Sequence, residues 1–137
     1  MTSEPHLAHD NQILQDLIDA WASSVRNQDI EGVVAHHATD IVIYDVVAPI
    51  RSIGIYAYRR AWVEQFFPWA GQDGRFDLRA VAVTSGDRVA FATGLIECAG
   101  TEKGQRVEFT LRLTIGFEKR EGLWTFVHEH HSEPAYD

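Results

Sequence analysis

The sequence predicts an α+β domain in which helices precede an antiparallel sheet, and three observations lead there. Apolar residues in the first half recur at helical spacing, whereas those in the second half alternate one by one. The change of period falls just beyond Pro68. Turn-forming clusters then divide the remainder into four segments joined by short connections, which suits antiparallel neighbours and excludes a doubly wound parallel sheet.

Taken in order, residues 1–9 are polar, contain Pro5, show no periodicity and read as a flexible tail, leaving 10–134 as a single domain. Ile13, Leu14, Leu17, Ile18, Trp21 and Val25 mark one face of a first helix. Asn27-Gln28-Asp29 interrupts it, and Asp29 is placed to cap a short second helix carrying Ile30, Val33 and Val34. Ile41-Val42-Ile43-Tyr44 is β-branched and aromatic, as a strand requires. Pro49 and Gly54 bracket a loop; a third helix runs from Tyr56 to Phe67 and is expected to stop at Pro68. Strands follow near 76–85, 88–98, 105–118 and 123–132, separated by Ser85-Gly86-Asp87, Gly100 to Gly104 and Arg120-Glu121-Gly122.

Composition narrows the function classes. A length of 137 residues and a formal charge of −8 describe a small acidic chain. Its overall field repels phosphate backbones and acidic membranes, so neither nucleic acid nor membrane is an expected partner. No apolar run is long enough to span a bilayer, and the start lacks the pattern of a secretory signal. With the single Cys98 unable to form an internal disulfide, a cytoplasmic location is expected. Gly-rich phosphate loops, dinucleotide fingerprints, nucleophile elbows and paired-cysteine metal sites are all absent, so no cofactor is expected.

The third strand of the meander has one apolar face, Val107, Phe109, Leu111, Leu113, Ile115 and Phe117, and one polar face, Glu108, Thr110, Arg112 and Thr114. In the strand before it both faces are apolar, with Val89, Phe91 and Leu95 opposite Ala90, Ala92 and Ile96. Three helices cover only one side of a sheet, so the other side is expected to meet a second copy in a homodimer.

Three segments carry a resemblance to a known family. They are Arg26-Asn27-Gln28-Asp29-Ile30-Glu31-Gly32; Tyr44-Asp45-Val46 followed by Pro49, Gly54, Tyr58 and Trp62; and the run from Gly122 through His128-Glu129-His130-His131 to Pro134. From about Ile13 to Pro134 the chain resembles the nuclear transport factor 2-like superfamily, in its SnoaL-like and ketosteroid-isomerase-like branch. The resemblance implies a cone: three helices against a strongly curved antiparallel sheet, with an apolar pocket for a small aromatic or polycyclic molecule. It leaves function open, since this fold hosts isomerases, cyclases, dehydratases and non-catalytic modules alike.

Within that frame Asp45, at the end of the first strand, matches the general-base aspartate of the ketosteroid isomerases. The alternative is a structural carboxylate bonded to loop amides near Ile50 to Ser52. The resemblance places Trp21 where the oxyanion-donating tyrosine stands and Thr114 where the protonated aspartate stands. Both are weaker donors, which argues against steroid isomerisation itself. On an unbroken strand His128 and His130 share the face of Trp124 and Phe126, so His128 is expected as an assisting acid or base and His130 as a ligand contact. Their other reading is hydrogen bonding to neighbouring strands. His-x-His also has metal-ligand spacing, but His36, His37 and Asp40 are not brought to it by any motif, and no metal is expected. Arg112 is expected to hold a carboxylate or enolate, or else to pair with Glu108. Trp62 and Phe66 complete the ligand wall with Trp21. Two functions follow: proton-transfer chemistry of isomerase, cyclase or dehydratase type, or a non-catalytic binding or dimeric assembly module.

Overall fold

The computed structural model describes residues 4–135. Helix α1 (Glu4–Arg26) opens the chain. It begins inside the expected tail, because Pro5 falls in the first turn, where its missing N–H has no intrahelical partner to lose. Residues 1–3 of that tail lie outside the described residues. Leu14, Ile18, Trp21 and Val25 are buried along one stripe of α1, while Gln12 and Gln15 donate to Asp16 and Asp19 on its exposed face. Asp29 caps α2 (Ile30–Val34) by accepting from the Gly32 amide. Gly32 is required there: a Cβ would sit 2.2 Å from Ser24 Oγ of α1.

Strand β1 (His37–Tyr44) and the two-residue β2 (Ser52–Ile53) follow. The third helical stretch starts as α3 (Ile55–Arg60), widens to a π-helical segment over Ala61–Phe66 and finishes as α4 (Phe67–Ala70). Pro68 does not end it. The change of helical pitch puts Pro68 in the first turn of α4, a position that tolerates the absent donor.

The remaining strands are β3 (Arg75–Ser85), β4 (Val89–Glu102), β5 (Gln105–Arg120) and β6 (Leu123–Ser132). They form the expected antiparallel meander within a six-stranded sheet of order β2-β1-β6-β5-β4-β3. One pair departs from antiparallel: β1 lies parallel to β6, with Ile43 opposite Glu129. The fold is α+β, a curved open sheet with its concave face against the helices.

Two strand irregularities shape the concave face. In β3 the register shifts between Arg79 and Ala82 around Ala80, whose φ is 58°, and the strand bends. In β6 the register shifts between the partners of Gly116 and Phe117, which face His128 and Phe126; Val127 is the extra residue of a β-bulge. Trp124 and Phe126 point into the core ahead of the bulge, and Glu129 and His131 point into it beyond.

On β5, Leu113, Ile115 and Phe117 are buried and Thr110, Arg112 and Thr114 are exposed, as the alternation predicts. On β4, Ala90, Ala92 and Ile96 are buried while Val89 and Phe91 face outward. The core is heavily aromatic. Trp21 meets Trp62 and Phe76 edge to face, with centroids 6.1 and 5.5 Å apart. Among the described residues no helix is long and apolar enough to cross a membrane.

Candidate functional site

Between the concave sheet face and the helical stretch α3–α4 lies a cavity of about 630 Å³. Its wall is apolar: Tyr58, Trp62, Phe66 and Trp69 come from the helices, and Ile43, Phe76, Ile96, Cys98, Phe109 and Leu111 from the strands. Trp69 lies directly on β4 because Gly100 has no side chain; a Cβ there would be 2.3 Å from the indole. At its polar end the cavity meets Asp45 and His131.

Asp45 is where the end of β1 was expected to put it. Its Oδ1 accepts from the Val46 amide at 2.7 Å and lies 3.7 Å from His131 Nδ1, an ion pair beyond hydrogen-bond length. The amides near Ile50 to Ser52 are not its partners among the described contacts. Burial works against the carboxylate's charge, but His131 and the Val46 amide outweigh it and hold the carboxyl below its ordinary range.

Behind His131 stands Glu129, whose side chain is fully buried on β6. Such a carboxylate is tolerable only with its lone pairs filled, and here they are. His131 Nε2 approaches Oε1 at 3.2 Å, and the Tyr58 hydroxyl donates to Oε2 at 2.8 Å. His37 Nε2 reaches the same Oε2 at 2.8 Å. The indole of Trp21 donates to the Tyr58 oxygen at 2.9 Å, closing the network from α1. His37 is stacked between Phe126 and Tyr58, with centroids at 4.1 and 4.8 Å. Its Nδ1 lies 2.8 Å from the Ala35 carbonyl, which only accepts. Its Nε2 also lies 3.0 Å from the Tyr58 hydroxyl.

The protonation states follow from these contacts. Burial raises the Glu129 carboxyl, yet bonds from His131 and His37 more than reverse this and bring it down to about 2. Burial alone lowers the His131 imidazolium, but the Asp45 and Glu129 carboxylates on either side raise it to about 9. Tyr58 is pushed well above its ordinary value by burial and by the charge of Glu129, so it remains a phenol donor. The arrangement is a chain of ionisable side chains in contact, Asp45–His131–Glu129–His37, whose first two members face the cavity.

Stability is linked to these shifts with opposite signs. The stabilising effect of His131 is complete below its ordinary value of 6.5 and is lost as pH rises through about 9. That of Glu129 is complete above 4.5 and is lost as pH falls through about 2. The thermal midpoint is expected to be flat between these ordinary values and to fall on the alkaline side. His131→Gln lowers the midpoint overall and removes that alkaline fall. An unchanged alkaline limb in the variant would disprove the assignment.

Of the expected site residues, Asp45, Trp62 and Phe66 line the cavity. Trp21 does not; it is buried behind Tyr58 and Trp62, and its indole N–H serves Tyr58. His128, His130, Arg112 and Thr114 lie on the opposite, convex side of the sheet. The Val127 bulge reverses the alternation of β6, so His128 turns outward to the Val42 carbonyl at 2.7 Å and His130 is exposed beside Tyr44. Arg112 and Thr114 follow the polar face of β5. Arg112 donates to Ser132 Oγ and the Glu133 carbonyl, while Glu108 pairs with Arg106. None of these four meets the cavity or Asp45. Sequence reasoning assigned no site role to His131, Tyr58 and His37. Tyr58, Glu129 and His131 were visible as members of the segments that carry the resemblance, and His37 as a histidine that no motif brings to His128 and His130.

Comparison with known proteins agrees with this architecture. A nuclear transport factor 2-like protein of unknown function from Pseudomonas putida KT2440 is 28% identical, with a TM-score of 0.84 over 94% of this chain and 89% of that one. A structure described as a proposed dehydratase of the nuclear transport factor 2-like family from Streptomyces avermitilis is 15% identical, with a TM-score of 0.80 over 95% and 99%. One described as a proposed ketosteroid isomerase from Shewanella frigidimarina NCIMB 400 is 15% identical, with a TM-score of 0.71 over 85% and 92%. The last two share the fold alone. No functionally curated protein matches the sequence. Residues 14–136 match the SnoaL-like domain, and the chain belongs to that family, within the nuclear transport factor 2-like superfamily.

Proposed function

We propose that this protein is a cofactor-independent enzyme that moves a proton on a small, largely apolar molecule, in reactions of isomerase, cyclase or dehydratase type. One observation carries the reading: an aromatic cavity ends on a carboxylate and an imidazolium that face it side by side. Such a pair supplies a proton acceptor and a stabiliser of the negative charge that proton removal creates. Asp45 takes the proton, and His131 takes the role that an unbroken strand would give to His128. Trp62 and Phe66 hold the ligand's rings. Asp45 remains ionised near neutrality and His131 remains charged, so both are in the required state without a cofactor. A cytoplasmic location and a homodimer complete the reading, the dimer supported by Val89 and Phe91 exposed on the convex sheet face.

The test follows α-proton loss from bicyclic and tricyclic aryl ketones in D2O by NMR. The wild-type protein is expected to accelerate exchange, and Asp45→Asn to lose about 10²–10⁴-fold of that acceleration. Exchange no faster than buffer, or an Asp45→Asn variant as fast as wild type, overturns the enzyme reading. Sedimentation as a monomer at micromolar concentration overturns the dimer.

A second reading, a non-catalytic binding or assembly module, is favoured by the Val46 amide and His131 contacts that give Asp45 a structural role of its own. An Asp45→Asn variant that unfolds, together with wild-type protein that binds but does not exchange ketones, selects it.

A further inference from the structure

One buried donor at the polar end of the cavity lacks an acceptor, and its surroundings specify the group that would meet it. His131 is only 6% exposed, with the Trp21 and Trp62 rings packed against it at centroid distances of 6.4 and 6.3 Å. Its Nε2 is occupied by Glu129 at 3.2 Å. Its Nδ1 has no acceptor within hydrogen-bond length among the described residues; Asp45 Oδ1 stands off at 3.7 Å. Burial opposes the ring's charge, but the Asp45 and Glu129 carboxylates raise the imidazolium to about 9, so Nδ1 carries a hydrogen near neutrality. A buried N–H without an acceptor is costly, and this one belongs to a ring that lines the cavity.

Asp45 supplies the complementary half. Its ionised carboxylate only accepts, and among the described residues it takes a single hydrogen bond, from the Val46 amide. A donor without an acceptor therefore stands 3.7 Å from a carboxylate with further acceptor capacity. One oxygen about 2.7–2.9 Å from each spans that separation, accepting from Nδ1 and donating to Asp45. A hydroxyl does both at one uncharged oxygen. A ketone or ether oxygen accepts without donating and turns a lone pair toward Asp45. A carboxylate also only accepts, and it adds a third negative charge beside Asp45 and Glu129. An ammonium only donates and is repelled by His131. Water makes both contacts in solution, so a ligand group that displaces it and reproduces one of them loses affinity.

The wall indicates what carries the hydroxyl. Trp62 borders His131 and continues into Phe66, with ring centroids 5.1 Å apart, so the aromatic surface begins beside the polar end. A ring bonded directly to the oxygen meets that surface at once. We infer that the cavity takes a phenol, an aromatic ligand whose ring hydroxyl bridges His131 Nδ1 and Asp45, in preference to the corresponding ether or carboxylate. The inference narrows the ligand class of the proposed function; it rests on the cavity being that function's ligand site, and not on turnover.

The test is calorimetric titration at pH 7, where phenols are un-ionised, with 2-naphthol, 2-methoxynaphthalene and 2-naphthoate. The naphthol is expected to bind about tenfold tighter than its methyl ether, and naphthoate more weakly than both. Asp45→Asn replaces a charged acceptor by a neutral one; it should cut the naphthol's advantage about fivefold without weakening the ether. The ether or naphthoate binding as tightly as the naphthol overturns the inference. So does failure of all three to bind at millimolar concentration, or an advantage that survives Asp45→Asn, which would reflect the bulk of the methyl group. Should Asp45→Asn fail to fold, the wild-type complex decides by proton NMR. The bound hydroxyl proton is expected to be shielded from exchange with water and to show a nuclear Overhauser contact to the His131 ring; a hydroxyl exchanging as fast as in free naphthol overturns the inference. Because binding is read without reaction, a protein that prefers the naphthol but exchanges no ketone protons keeps this inference and loses the enzyme reading. One that exchanges ketone protons but does not distinguish naphthol from its ether does the reverse.

Discussion

Glu129→Ala is expected to cost about 3–5 kcal/mol of stability, the range for removing one member of a buried, hydrogen-bonded charge set. Glu129 is the common partner of His37, Tyr58 and His131, whose side chains are all buried. Without it the His131 imidazolium sits in the core with one carboxylate fewer, and the His37 ring and the Tyr58 hydroxyl lose their partner. Domains of this kind have a total stability of about 5–15 kcal/mol, so the loss is a large share of the whole. For a chain of this size it corresponds to a fall in thermal midpoint of about 10–17 °C. Glu129→Gln should cost less, about 1–3 kcal/mol, because the amide keeps one acceptor oxygen while its NH2 faces a donor. Urea denaturation of both variants measures the difference. A Glu129→Ala protein within about 1 kcal/mol of wild type, on the order of a lost surface contact, would mean the network contributes nothing net to the fold.

The same residue shows where sequence reasoning reached and where it stopped. The α1 stripe of Leu14, Ile18, Trp21 and Val25 was legible because burial of one helix face repeats every three or four residues. The β5 alternation was legible because one face of that strand meets the core and the other does not. Both signals are periodic and local. The Val127 bulge is neither: it changes the parity of β6 through its pairing with Gly116 and Phe117, a contact eleven residues away in sequence (116 to 127). Asp45 was found because the resemblance names the end of the first strand, whereas the histidine beside it was assigned one bulge out of step. The π-helical segment had a similar effect on a smaller scale, carrying the helix past Pro68 and placing Trp69 on the cavity wall. Arg112 and Thr114 were read correctly as one polar face; the error was to put that face inside the cone.

Deleting Val127 is therefore expected to leave both faces of β6 as they are. Phe126 pairs with Phe117 and His128 with Gly116, so Val127 is the one unpaired residue between them. With it gone, Phe126, His128 and Glu129 follow one another in regular alternation: inward, outward, inward. Glu129 and His131 stay in the core opposite Ile115 and Leu113, and the buried network keeps its members. The cost is that of closing the bulge, about 1–2 kcal/mol in urea denaturation, and the ketone exchange activity is retained if the enzyme reading holds. An insertion between His128 and Glu129 does the opposite. With the pairing ahead of it kept, Glu129 and His131 move to the convex face beside Thr114 and Arg112, and loss of the buried network is worth about 3–5 kcal/mol. The expected result is a protein that is molten by near-ultraviolet circular dichroism at room temperature. An insertion variant as stable as wild type would show that a second bulge absorbs the extra residue. In that case the burial of Glu129 and His131 is enforced by their partners Tyr58, His37 and Asp45, and not by the strand's register.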